Sequence, residues 1–295
     1  MTPVYIDFET FWSTTHSLTR MPPTEYVMHP DTEIQAVAIK VSSSPTAVFF
    51  GASNIQKELN SIDWSDKIAI GHNMSGFDSM ILAWRFGIKP KMWGCTQAMA
   101  MSKYKKTCGV SLKNRSKEFN IGAKLSLEAT NTKGKRLEDF TPSELESMKE
   151  YNKVDTDLCA KLFKELAKGI SKAEMVQIDM TTRMLVEPKF NLDYRLIREA
   201  QESVKAEKSR SLRELAEQTD EEFIKLQEHP NPIVAAAARA RLEVKSTLLE
   251  TRLEAFIRAA DACGGKLPVP LRYCGADTTG RWSGEQYNMQ NLPRI

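Results

Sequence analysis

Asp7 and Glu9 stand two residues apart in Val4-Tyr5-Ile6-Asp7-Phe8-Glu9-Thr10, where Val4, Ile6 and Phe8 alternate with Tyr5, Asp7 and Glu9. Alternation of this period reads as a half-buried strand, and alternate strand residues share a face. The two carboxylates therefore project together. Their repulsion drives one toward protonation unless a cation lies between them, and hard cations such as Mg²⁺ or Mn²⁺ take oxygen ligands. An edge strand with its acidic side in water would show the same pattern without chemistry. Two more acidic positions lie further along. Asp78 ends Asn73-Met74-Ser75-Gly76-Phe77-Asp78, at the start of a helix that follows a strand end, where α/β folds commonly build sites; alone it reads as an acid favoured by the helix dipole. Asp155 follows Tyr151 by four residues, so a hydroxyl and a carboxylate share one helix face.

The elements that must position these residues are legible from periodicity. Ile34 to Val41, Ala47 to Phe50 and Lys67 to Gly71 read as strands, and Met21 to Thr32 as a loop. Ile55 to Leu59, Phe77 to Phe86 and Ala98 to Lys106 read as helices. Thr141-Pro142-Ser143-Glu144 is a helix start with a capping threonine and proline at the first turn, and Leu145, Met148, Tyr151, Val154, Leu158 and Leu162 continue it at helical spacing. Ser171 to Leu185 is helical. Asp193 can cap a helix from Tyr194 to about Gln218, and another runs from Ile233 to Ala262, ended by Gly264 and Gly265. Together these long charged helices suggest an extended arm.

Composition sets outer bounds. The 295 residues are 41% hydrophobic and 27% charged, with a formal net charge of +3, as expected of a globular chain of about two domains. Nucleic acid is allowed as a partner but not demanded; Lys103, Lys105, Lys106, Lys113, Arg115 and Lys117 form one basic cluster, and Lys124, Lys133, Lys135 and Arg136 another. The five cysteines are scattered and read as reduced thiols in a cytosolic setting. The four histidines, His16, His29, His72 and His229, are too dispersed to suggest a zinc site. No basic, apolar leader precedes the first strand, and no apolar run reaches membrane-spanning length.

In order, Asp-x-Glu on the first strand, Asn-x-x-x-Phe-Asp, and Tyr-x-x-x-Asp on a later helix resemble the three motifs of DEDD-superfamily 3′–5′ exonucleases, and the tyrosine resembles the DEDDy branch. The resemblance spans about residues 1–168. It implies an α/β fold of RNase H-like type, with a mixed sheet and flanking helices. It also implies two divalent ions, Mg²⁺ or Mn²⁺. Asp7, Glu9 and Asp155 would hold one, and Asp7 would bridge to a second with Asp78 helping through water. Tyr151 would orient the attacking water. Asn73, Phe77, Lys133 and Lys135 are the implied strand contacts in this region.

The tail, Thr279-Gly280-Arg281 followed by Gln290-Asn291-Leu292-Pro293-Arg294, resembles the segment at the start of the palm in family A DNA polymerases, phage-type members especially. Arg281, Gln290 and Asn291 carry over as expected DNA contacts. The resemblance divides the chain into a 3′–5′ exonuclease domain (1–170), a mostly helical thumb-like region (171–265) and a start-of-palm segment (266–295). Palm carboxylates and fingers are not among its residues. The expectation is a proofreading-type DNA exonuclease acting on single-stranded 3′ ends and primer–template, without polymerase activity of its own. It would be part of a split or truncated polymerase whose palm and fingers lie on a second polypeptide. The setting is cytoplasmic, in a bacterial host if the chain is phage-encoded. A DEDDy ribonuclease and a non-catalytic assembly subunit are the alternatives.

Overall fold

The computed structural model describes residues 1–125, 132–214, 224–233, 235, 238, 248–276, 279–287 and 289. The chain divides into two compact units, Met1–Lys189 with Pro268–Ile295, and Phe190–Leu267.

The first unit is built on a five-stranded sheet in the order β3-β2-β1-β4-β5. Its strands are β1 (Thr2–Thr10), β2 (Ile34–Val41), β3 (Ala47–Phe50), β4 (Lys67–Gly71) and β5 (Met92–Cys95). β1 is central, so the acidic strand is not an edge. It pairs antiparallel with β2 from Val4 to Thr10, but parallel with β4 only from Thr2 to Tyr5. Beyond Tyr5, the β4-side edge of β1 is open, and Asp7 and Glu9 lie on that open stretch.

Val4, Ile6 and Phe8 are buried in the main core. On the opposite face Tyr5 is buried with Ile68, Ile70, Met92, Cys159 and Ala160. The last two residues belong to a long helix, Pro142–Ala167, opened by a capping box in which Thr141 and Glu144 bond each other's backbone N–H, as its sequence requires. This helix therefore covers the Tyr5 face, which is also the face of Asp7 and Glu9. Its buried Met148, Tyr151, Asp155, Leu158, Cys159, Leu162 and Leu166 form the inward stripe.

The expected loop over Met21 to Thr32 contains a helix, α1 (Pro23–Met28), with proline in its first turn. It is only one and a half turns long, below what periodicity resolves. The helix expected over Phe77 to Phe86 is a single turn, Asp78–Met80, followed by a π-type turn, Ile81–Arg85, in which Phe86 N–H donates to Ile81 O at 3.3 Å. β5 carries no alternation in Met-Trp-Gly-Cys and was not expected. A helix Thr96–Cys108 follows it, then a short helix Leu112–Glu118 and, after the long helix, another over Lys172–Val186. A two-stranded ribbon, Leu271–Arg272 with Ser283–Gly284, closes the unit.

The second unit contains helices Tyr194–Glu214 and Leu248–Ala262 and a ribbon of Phe190–Asn191 with Lys266–Leu267. Asp193 caps the first helix by accepting from Leu196 N–H at 3.0 Å. Gly264 and Gly265 end the second at φ +62° and +84°. Residues 215–223 and 241–247, within the expected arm, lie outside the described residues. Among the described residues no helix is long and apolar enough to cross a membrane.

Candidate active site

Helix and strand geometry bring the acids together. Four helical residues rise about 6 Å and two strand residues about 6.7 Å, so Cys159, Asp155 and Tyr151 step along the long helix nearly in time with Tyr5, Asp7 and Glu9 on β1. The electrostatic neighbours follow this order: Cys159 with Tyr5 and Asp7, Asp155 with Asp7 and Glu9, and Tyr151 with Glu9. Asp78 enters from the turn after β4. Its Oδ1 accepts from Phe8 N–H at 3.3 Å, a backbone donor left free because β4 has already ended. That turn is tight. Asn73 has φ +89°, and a Cβ on Gly76 would come within 2.7 Å of Asn73 Oδ1.

Crowding burdens these carboxylates. Asp7 is held well above the usual range, by burial first and then by Asp78, Glu9 and Asp155. Glu9 is pushed up to about 8 by burial and Asp155, and Asp78 to about 7 by burial. Asp155 is raised by burial, against the lowering contacts of Lys124 and Tyr151. Burial also raises the Tyr151 hydroxyl, which therefore keeps its proton at neutral pH.

Lys124 belongs by sequence to a basic cluster; in the structure its Nζ pairs with Asp155 Oδ2 and lies 5.0 Å from the Tyr151 ring centre. Gly122, at φ +136°, allows this approach, because a Cβ there would sit 2.9 Å from Leu158 Cδ2. Nothing in a lysine-rich stretch distinguishes this lysine by sequence. Asn152, fully buried on the same helix, has neither side-chain polar atom hydrogen-bonded.

The donor set fits a divalent cation. Asp155 Oδ1 is buried without a hydrogen-bond partner, and among the described residues Lys124 is the positive group acting on Asp7 and Glu9. No three of these carboxylates bring ligand atoms within 4.8 Å of one another. Among the described residues, the group of three whose ligand atoms all lie within 4.8 Å of one another is instead His16, His29 and Asp31. Two histidines that stand apart in sequence are thus neighbours in the structure. The loop after β1 folds back on α1 and brings the His16 and His29 rings to 4.9 Å between centres.

The remaining expected residues are spread out. Asn73 is exposed and Phe77 half-buried, 6.0 Å from the Tyr26 ring. Lys133 is exposed, 5.9 Å from the Trp12 ring centre, whereas Lys135 pairs with Glu144. Arg281 is exposed and its Nε donates to Thr279 Oγ1 at 3.1 Å. Gln290 and Asn291 lie outside the described residues.

No protein-family model matches the chain, and no curated protein sequence matches it. Solved structures do. The POL domain of Pol1 from M. smegmatis, in complex with DNA primer-template and dNTP, is similar with a TM-score of 0.57 and 11% identity, over 99% of this chain and 52% of that one. The fold is RNase H-like: a mixed sheet in the order β3-β2-β1-β4-β5 with flanking helices. Brucella melitensis NrnC with bound Mg²⁺ matches at a TM-score of 0.45 and 20% identity, over 61% of this chain and 81% of that one. The catalytic core of RRP6 from Trypanosoma brucei matches at 0.42 and 13%, over 88% and 67%.

Proposed function

We propose that the chain is a metal-dependent 3′–5′ exonuclease that removes nucleotides from the end of a DNA strand. The observation that carries this reading is the meeting of four carboxylates, Asp7, Glu9, Asp78 and Asp155, at the open end of the central strand, with the Tyr151 hydroxyl and the Lys124 amine among them. Asp7, Glu9 and Asp155 would hold one Mg²⁺ or Mn²⁺, and Asp7 and Asp78 a second. Such ions supply an activated water and neutralise charge on the attacking and leaving oxygens. The chain's own residues do the rest. The buried strand and helix fix the carboxylates, Tyr151 offers a protonated hydroxyl to orient a water, and Lys124 supplies a fixed positive charge beside Asp155.

The preference for DNA rests on the resemblance of the Thr279-Gly280-Arg281 tail to family A polymerases. The likeness to a polymerase domain accords with it at the level of fold. Asn73, Phe77, Lys133 and Arg281 are the proposed strand contacts. A polypeptide carrying palm and fingers is the proposed protein partner, on the tail resemblance alone.

The test is release of nucleotides from 5′-labelled DNA and RNA strands with Mg²⁺ or Mn²⁺, by the chain and by Asp7→Ala. Shortening from the 3′ end, faster on DNA and reduced by about 10³-fold or more in Asp7→Ala, is the expected result. Equal activity in a folded Asp7→Ala chain would overturn the reading. Faster cleavage of RNA would favour a ribonuclease, and no cleavage by either protein would leave an assembly subunit.

A further inference from the structure

The hydrogen bonds around His16 decide which of its ring nitrogens is available. The Thr32 hydroxyl donates its one proton to Tyr26 O, so its oxygen accepts in the 2.7 Å contact with His16 Nε2. Nε2 therefore carries the imidazole proton and Nδ1 carries the lone pair. Among the described residues that Nδ1 receives no hydrogen bond. His16 is 5% exposed, and its ring is clamped between Tyr26, at 4.7 Å between centres, and Phe11, at 6.0 Å.

Beside His16 stand a second imidazole and a carboxylate. His16, His29 and Asp31 each place a ligand atom within 4.8 Å of the other two. His29 Nδ1 accepts from the Asp31 backbone N–H at 3.1 Å and lies 3.8 Å from Asp31 Oδ2, so a metal bound at this nitrogen would take the place of that backbone contact. Arg85, whose Nη1 donates to Thr32 O at 3.2 Å, and Arg136 are nearby positive groups. The Arg136 guanidinium lies 3.7 Å from the Phe11 ring centre and donates to Asp31 O at 2.7 Å, which engages the backbone of Asp31 and leaves the carboxylate out of that contact.

We propose that His16, His29 and Asp31 form a transition-metal site that takes Zn²⁺ in preference to Mg²⁺, with a fourth position for water. Two imidazoles and one carboxylate are a donor set for zinc, whereas hard oxygen-only sites suit magnesium. A tetrahedral zinc needs its ligand atoms roughly 3.4 Å apart. His29 and Asp31, with side chains 41% and 63% exposed, are free to close that distance onto the fixed His16. Thr32 is then the outer partner that sets the His16 tautomer, as such partners do in metal sites. The ion would tie the loop after β1 to the end of α1. Tyr26, from that helix, donates to Phe11 O at 2.5 Å and contacts Thr10 Oγ1 at 2.9 Å, so the exit of the acidic strand would be held by the metal. The site is separate from the four carboxylates and does not depend on the nuclease reading.

The experiment uses the whole chain, stripped with a chelator and titrated with Co²⁺ as an optical probe in excess Mg²⁺, then with Zn²⁺. One equivalent of Co²⁺ per chain is expected, with visible absorption of a nitrogen-ligated ion that Zn²⁺ removes. His29→Ala and Asp31→Asn, both at exposed positions, should each weaken binding about tenfold or more, while Asp7→Asn leaves it unchanged. Zn²⁺ should raise the melting temperature of the wild type and not that of His29→Ala. No Co²⁺ or Zn²⁺ binding by the wild type in excess Mg²⁺ overturns the proposal, as does binding that survives in His29→Ala and is lost in Asp7→Asn.

Discussion

Lys124 holds one oxygen of Asp155 while the other oxygen of the same carboxylate, buried, has no partner. The lysine thus stands where positive charge is needed among four carboxylates, and it satisfies only half of one of them. A monovalent ammonium on a flexible stem is a weak substitute for a divalent ion, so the two should compete.

Lys124→Met is expected to tighten Mg²⁺ or Mn²⁺ binding severalfold, measured by calorimetric titration, because a like charge next to the ion is removed. The same change should lower the metal-free stability by about 2 kcal/mol. This is less than the usual cost of breaking a buried pair, because Asp155 can take up a proton instead. Weaker divalent binding in Lys124→Met would mean that the lysine supports the ions and does not displace them.

Tyr151→Phe removes only a hydroxyl that stays protonated at neutral pH. A partial loss of nuclease rate is expected, roughly tenfold to a thousandfold, since water positioning is one contribution among several. The pH profile should keep its shape, because no titrating group is lost. A changed profile would assign the hydroxyl a proton-transfer role.

Acidity should stabilise the metal-free chain over a defined window. A carboxylate whose folded pKa is raised binds its proton more tightly in the native state, so stability falls as pH rises from the unfolded pKa to the folded one and then levels. For Glu9 that decline runs from about 4.5 to about 8, and for Asp78 from about 3.8 to about 7. Melting temperatures with chelator should therefore drop between pH 5 and 8, and Mg²⁺ should flatten the slope by binding the ionised forms. A metal-free melting temperature that rises across this range would show that the carboxylates are not crowded as described.

Four of the five sheet strands were legible, β1 from its alternation and β2, β3 and β4 from short apolar runs, and the Thr141 cap was legible because its two reciprocal hydrogen bonds are local. The five residues Asp7, Glu9, Asp78, Tyr151 and Asp155 could be named from motif spacing, but not their burden of charge, which depends on how deeply the long helix buries them. Lys124 and the His16–His29 pair were not legible. Each is brought to its neighbours by a loop whose path is set by long-range packing, by Gly122 against Leu158 in one case and by Tyr26 stacking in the other. β5 and α1 escaped for different reasons, the first because Met-Trp-Gly-Cys carries no alternation and the second because it is six residues long.

The near-equal stride of the long helix and β1 makes the site sensitive to insertions in a way that point substitutions do not reveal. One residue added between Asp155 and Cys159 would swing Asp155 by about 100° about the helix axis while Cys159 kept its place over Tyr5. Asp155 would then face away from Asp7 and Glu9, and a chain differing by one alanine in length would keep its sheet yet lose a quarter of its carboxylate cluster. A two-turn insertion of seven residues would return the carboxylate to the correct side but about 10 Å too far along. Length variation among natural relatives of this chain should accordingly be confined to the loops that flank this helix.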